Sequence, residues 1–107
     1  NIPLRVVGLL AGFGVPADTA EGRGWRGLTN GALVEVAVKK GFVYVLTRDR
    51  LFSESAARAL ARFSRFSVVL VTLPQLRGQQ FLDAFRSEWV RQQIKPVPGS
   101  LTRWPVA

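Results

Sequence analysis

The chain contains no cysteine, no histidine and no methionine, and only seven acidic residues against fifteen basic ones. Without cysteine there is no disulfide and no thiolate metal site. Without histidine there is no imidazole ligand and no histidine-based catalysis. Any metal bound here is therefore held by oxygen, which favours Mg2+ or Mn2+ over zinc. No apolar run approaches the roughly 18 residues that a membrane span needs. The apolar segment 6–13 (VVGLLAGF) lacks the basic flank and cleavage site of a signal peptide. The expected location is cytoplasmic, with no membrane partner.

What is present fits one globular domain spanning residues 1–107, with 48% hydrophobic and 21% charged residues. The net charge of +8, carried mostly by arginine, suits a polyanion or an acidic protein partner. A basic surface that serves solubility alone is the plainer alternative.

Hydrophobic periodicity predicts a helix over residues 3–12, opened by Pro3 and stopped by Gly12 and Gly14. A short extended piece at 15–19 follows, then the glycine- and arginine-rich loop AEGRGWRGLT at 20–29. Asn30 reads as the N-cap of a helix to about Lys40, with Gly41 as its stop. The runs FVYVLT (42–47) and SVVLVT (67–72) are apolar without interruption, as strands buried on both faces are. Between them, a helix from Phe52 or Ser53 to Phe63 is expected, with Glu54 and Arg58 as an i,i+4 pair. A long helix from Pro74 to Gln92 and an edge strand near 100–104 close the pattern.

Strands alternating with helices predict an α/β fold, with a mostly parallel sheet covered on both faces. In such folds a central strand usually precedes the first helix. A first strand lying before Asn1, truncated here, is therefore expected.

Open parallel sheets bind ligands at the carboxyl ends of their strands. Asp49, in YVLTRDRLF (44–52), lies two residues beyond the apolar run that ends at Thr47. A carboxylate there can reach a hydrated metal ion, and several such acids can direct water at a phosphodiester. Arg48-Asp49-Arg50 is equally the composition of an ion-paired surface turn, and the residues alone leave both readings open.

The block GWRGLTNGALVEVAVKKGFVYVLTRDRLF (24–52) resembles the PIN-like nucleases of toxin–antitoxin systems. That family shows a Gly-Trp-x-Gly loop, a helix opened by Asn-Gly or an acid, and a strand ending Thr-x-Asp-Arg-x-Leu/Phe. Asn1-Ile2-Pro3 looks like the tail of the family's Asp-Glu-Asn-Pro start, and PGSLTRWPV (98–106) like its closing segment. The resemblance implies a three-layer PIN-like sandwich. It also implies a toxin-type endoribonuclease that depends on Mg2+ or Mn2+, takes RNA as substrate and is held inactive by a cognate antitoxin protein. A homodimer is a further partner it leaves open, and a catalytically inactive RNA- or protein-binding module is the alternative function.

Carried onto this chain, the resemblance makes Asp49 the catalytic acid and metal ligand, with Thr47 bracing it. It places Asn30 as a weak amide ligand where relatives carry an acid. The family's other acids would lie before Asn1. For substrate, Arg23, Trp25 and Arg26 offer cations and a stacking ring in one loop. Trp25 folded inward as the loop's anchor is the competing reading. Arg48 and Arg50 flank Asp49, and Arg58 begins a stripe with Arg62 and Arg65 that would track RNA or receive an acidic antitoxin segment. Asp18, at the end of the expected extended piece, is a secondary acid. Glu35 reads as a solvated helix residue, and Asp83 and Glu88 belong to no motif.

Overall fold

The computed structural model describes residues 2–106. Helices α1 (Arg5–Gly12) and α2 (Asn30–Lys39) precede strand β1 (Tyr44–Thr47). Then come α3 (Arg50–Arg58) with a 3-10 turn (Ala59–Ala61), β2 (Ser67–Val71), α4 (Gly78–Arg91) and β3 (Leu101–Trp104). The three strands form one parallel sheet in the order β1-β2-β3. Asn1, the first residue of the Asn-Ile-Pro match, lies outside the described residues.

β2 is the central strand, and all five of its residues are buried. Side chains alternate across a strand. Val69 and Val71 accordingly join α1, α4 and Trp104 in one core, while Val68 joins α2, α3 and the 3-10 turn in the other. The first core is aromatic. Phe81 and Phe85 of α4 are fully buried, and the Phe85 and Trp104 rings lie 4.8 Å apart. The Trp104 indole N–H donates to the Gln92 carbonyl at 2.6 Å, so the ring is buried without stranding its polar atom. Among the described residues no buried side-chain nitrogen or oxygen lacks a partner.

Several sequence expectations shift. β1 occupies an edge of the sheet, so Tyr44, Val45 and Leu46 are only half-buried, and the both-faces burial expected of 42–47 holds for β2 alone. No strand forms at 15–19; Val15 instead folds back, its N–H donating to the Leu10 carbonyl at 2.9 Å. The N-cap of α2 is Thr29, whose hydroxyl accepts from the Ala32 N–H at 3.2 Å, and Asn30 is the first helical residue. α3 starts earlier than expected, at Arg50, because Asp49 caps it. It ends at Arg58 and tightens into the 3-10 turn rather than continuing to Phe63. α4 starts four residues later than Pro74, since the Leu76 N–H donates to the Pro74 carbonyl in a tight turn first. Glu54 pairs with Arg50 at 3.7 Å, not with Arg58.

Candidate functional site

The carboxyl end of β1 opens into a hollow of about 1050 Å3. Its floor is β1, and its walls come from α1, the loop at 15–28 and one face of α2, from Asn30 to Ala37. Asp49, Thr47, Asn30, Asp18, Arg23, Trp25 and Arg26 all line it. Arg48, Arg50 and Arg58 do not.

Asp49 gets its position from a turn built by its neighbours. Thr47 is buried at the strand end, and its Oγ1 accepts from the Asp49 main-chain N–H at 3.0 Å. The Asp49 side chain, exposed, then turns onto α3: its Oδ1 accepts from the Phe52 N–H at 3.1 Å. A carboxylate at that place both satisfies an otherwise unpaired helix donor and meets the positive end of the helix dipole. Thr47 thus braces the Asp49 backbone rather than its carboxylate.

The loop residues form a knot. Arg23 Nε donates to Asp18 Oδ2 at 2.7 Å, and its guanidinium lies 5.6 Å from the Trp25 ring centroid and 4.9 Å from that of Phe42. Trp25 meets Phe42 edge-on at 6.1 Å and packs, half-buried, against the α2–α3 core. The inward reading of Trp25 therefore describes its position. The Arg23 guanidinium, with the Thr19 N–H second, holds the Asp18 carboxyl below its usual range. Arg26 is exposed and lies 3.5 Å from Glu21.

The remaining cations are dispersed. Arg48 stacks its guanidinium over Phe81 at 4.6 Å, on the α4 side of the sheet. Arg50 pairs along α3 with Glu54. Arg58 is exposed at the end of α3, whereas Arg62 and Arg65 lie beyond the helix, so the three are not one helical stripe. Arg62 also reaches Glu35 at 3.4 Å. Lys39, and less strongly Arg62, hold the Glu35 carboxyl below its usual range.

Two features of the site escaped the sequence reading. One is the Asp18–Arg23–Phe42 knot, whose partners are brought together only by the folded loop. The other is Asp49 as an N-cap, for which a signal existed: an aspartate just before a helix-forming run.

The donors available to a metal are few. Asp49 offers one carboxylate and Asn30 one amide oxygen, while Asp18 is engaged by Arg23 and Glu21 lies 3.5 Å from Arg26. No group of three or more acidic side chains is gathered among the described residues. Asp49 and Asn30 by themselves offer at most part of a shell for Mg2+ or Mn2+, which take six oxygen ligands, several of them commonly water. No helix among the described residues is long and apolar enough to cross a membrane. No protein-family model, no curated protein and no solved structure matches this chain.

Proposed function

We propose that this chain is a PIN-like toxin-type endoribonuclease domain, acting on RNA under the control of a cognate antitoxin protein. The observation that carries this reading is the place of Asp49. It is an exposed carboxylate at the carboxyl end of a parallel strand, opening into a hollow shared with Asn30, Asp18 and the loop arginines. Helices on both faces of a parallel sheet are compatible with a PIN-like sandwich, and the +8 charge favours a polyanionic substrate. In this reading Mg2+ or Mn2+ would require acids additional to Asp49, and Asn30 would serve only as an auxiliary oxygen.

A second reading, a PIN-like module that binds RNA or a protein without cleaving it, is favoured by one specific observation. The Asp49 carboxylate already caps α3, and Asp18 is held by Arg23. One experiment separates the two. Labelled RNA is incubated with the protein and its Asp49→Asn variant in added Mn2+, and both binding and cleavage are followed. Cleavage lost in the variant with binding kept supports the nuclease. Binding without cleavage by either protein supports the second reading, and equal cleavage by both removes Asp49 from the chemistry.

A further inference from the structure

The three strands run parallel, so the segments leading into them, 40–43, 62–66 and 97–100, lie together at the end of the sheet opposite Asp49. Hydrogen bonds hold these segments side by side. The Ser67 N–H donates to the Val43 carbonyl at 3.1 Å and the Gly99 N–H to the Phe66 carbonyl at 2.8 Å. The Ser67 hydroxyl donates to the Val97 carbonyl at 2.8 Å. Gly99, at φ +77°, packs so closely that an added Cβ would meet the Ser64 carbonyl oxygen at 3.0 Å.

This end of the sheet gathers cations. Lys39 and Lys40 close α2, Arg58 closes α3, and Arg62 and Arg65 follow the 3-10 turn; all of them are exposed. Among the described residues, Glu35 is the one acid paired with any of these cations, reaching Lys39 at 3.2 Å and Arg62 at 3.4 Å. That carboxylate ties the end of α2 to the segment before β2, so the cations of the two segments adjoin. Lys40, Arg58 and Arg65 have no ion-pair partner among the described residues. The negative end of a helix dipole favours Lys39 and Arg58 where they stand. It does not account for Arg65, which lies beyond both helices.

Charge alone suits RNA or an acidic protein, and the neighbouring side chains favour the protein. No ring on the three segments is fully open for base stacking. Phe42 and Phe66 pack into the α2–α3 core, and Phe63 is half-buried with the Arg62 guanidinium 5.1 Å from its centroid. Val97, by contrast, is 48% exposed beside Ser67 and offers an apolar contact. An RNA strand seated at Asp49 would also have to run the length of β1, about 13 Å, to reach these cations. We propose that the amino end of the sheet docks an acidic segment of a partner protein, whose carboxylates meet Lys40, Arg58 and Arg65 and whose apolar side chain covers Val97. The inference rests on the proposed function only for the partner being a cognate protein; it needs neither RNA cleavage nor Asp49.

The test uses a fluorescein-labelled peptide, Glu-Glu-Leu-Glu-Glu-Leu-Glu-Glu, with binding read by fluorescence anisotropy in about 0.1 M KCl. Two triple variants change the net charge equally. One carries Lys40→Gln, Arg58→Gln and Arg65→Gln; the control carries Arg5→Gln, Arg77→Gln and Arg86→Gln, at α1 and α4. All six side chains are exposed, so both variants should fold, which a urea midpoint checks. The expected result is saturable binding, weakened at least about tenfold by the first triple and less than about threefold by the control. Serine in place of both peptide leucines should weaken binding at least about threefold, because Val97 then loses its apolar partner. Absence of binding, equal loss in the two triples, or indifference to the leucines overturns the proposal. A labelled single-stranded RNA is titrated in parallel. RNA that displaces the peptide and loses affinity as steeply in the first triple also overturns it, in favour of RNA. A protein that cleaves no RNA leaves the peptide result unaffected, so the two readings fail separately.

Discussion

Asp49 has an observed structural role as the cap of α3 and a proposed chemical one, and substitution separates the two. Asparagine caps a helix about as well as aspartate, whereas alanine caps poorly. Asp49→Asn should therefore leave stability within about 0.5 kcal/mol, and Asp49→Ala should lower it by about 1 kcal/mol, both read from urea denaturation. If the proposed function holds, both variants lose RNA cleavage, so a loss shared by the two is a loss of chemistry and not of folding. Asp18 gives a pH prediction. Its folded-state pKa is depressed, so the stability it contributes is complete above its unfolded value and is lost as pH falls through its lower folded value. An acid titration followed by Trp25 fluorescence should show a loop transition in that range, and Asp18→Asn should remove it. Because the Asp18–Arg23 pair is solvent-exposed, salt should weaken the transition as well.

At the scale of elements, a glycine stop was easier to read than a capped start. Gly41 was recognisable as the end of α2, and it sits at φ +90°. There the Gly41 N–H donates to the Val38 carbonyl at 3.1 Å and the Phe42 N–H to the Ala37 carbonyl at 3.0 Å, a left-handed cap that glycine adopts without strain. Gly41→Ala should cost about 1–2 kcal/mol, measured by chemical denaturation, although no neighbouring atom crowds the added methyl. The start of α2 was misread by one residue because Thr29 and Asn30 are both capping types; the backbone alone chooses, and Thr29 is the extended one. The inward residues of α4 recur at the 3.6-residue spacing of a helix in the sequence, whereas Leu76 precedes the helix. Phe81, Leu82, Phe85 and Trp89 are all buried. Phe85→Ala removes a ring surrounded by Phe81, Trp89 and Trp104, and should destabilise the protein by about 3–5 kcal/mol in the same assay.

For the whole molecule the governing quantity is charge. With fifteen cations against seven anions, the RNA binding of the proposed function should weaken steeply with salt, by about 0.7 log units per log unit of salt for each phosphate neutralised. Anisotropy titrations at several KCl concentrations measure that slope. Arg58→Glu should reduce it if α3 meets RNA, whereas a slope unchanged by Arg58→Glu would move the RNA path elsewhere. Arg23→Glu is a poorer probe, because it would also dismantle the contacts to Asp18 and Phe42. The arginines expected to act together do not converge. Arg23 and Arg26 border the hollow, Arg48 lies against Phe81, and Arg50 and Arg58 lie along α3.

The sequence by itself determined the alternation of apolar strands with amphipathic helices, and with it a parallel sheet covered on both faces. It also excluded thiolate and imidazole ligands from these residues and set the basic balance. Those properties are local or compositional, so periodicity and counting suffice to read them. Strand order was decided only in the tertiary structure. Two equally apolar runs, 42–47 and 67–72, became an edge and a centre, because nothing within either run says which neighbours will pair with it. The same long-range pairing set β1 at the floor of the hollow and Asp49 at its mouth, neither of which the stretch YVLTRDRLF specifies alone.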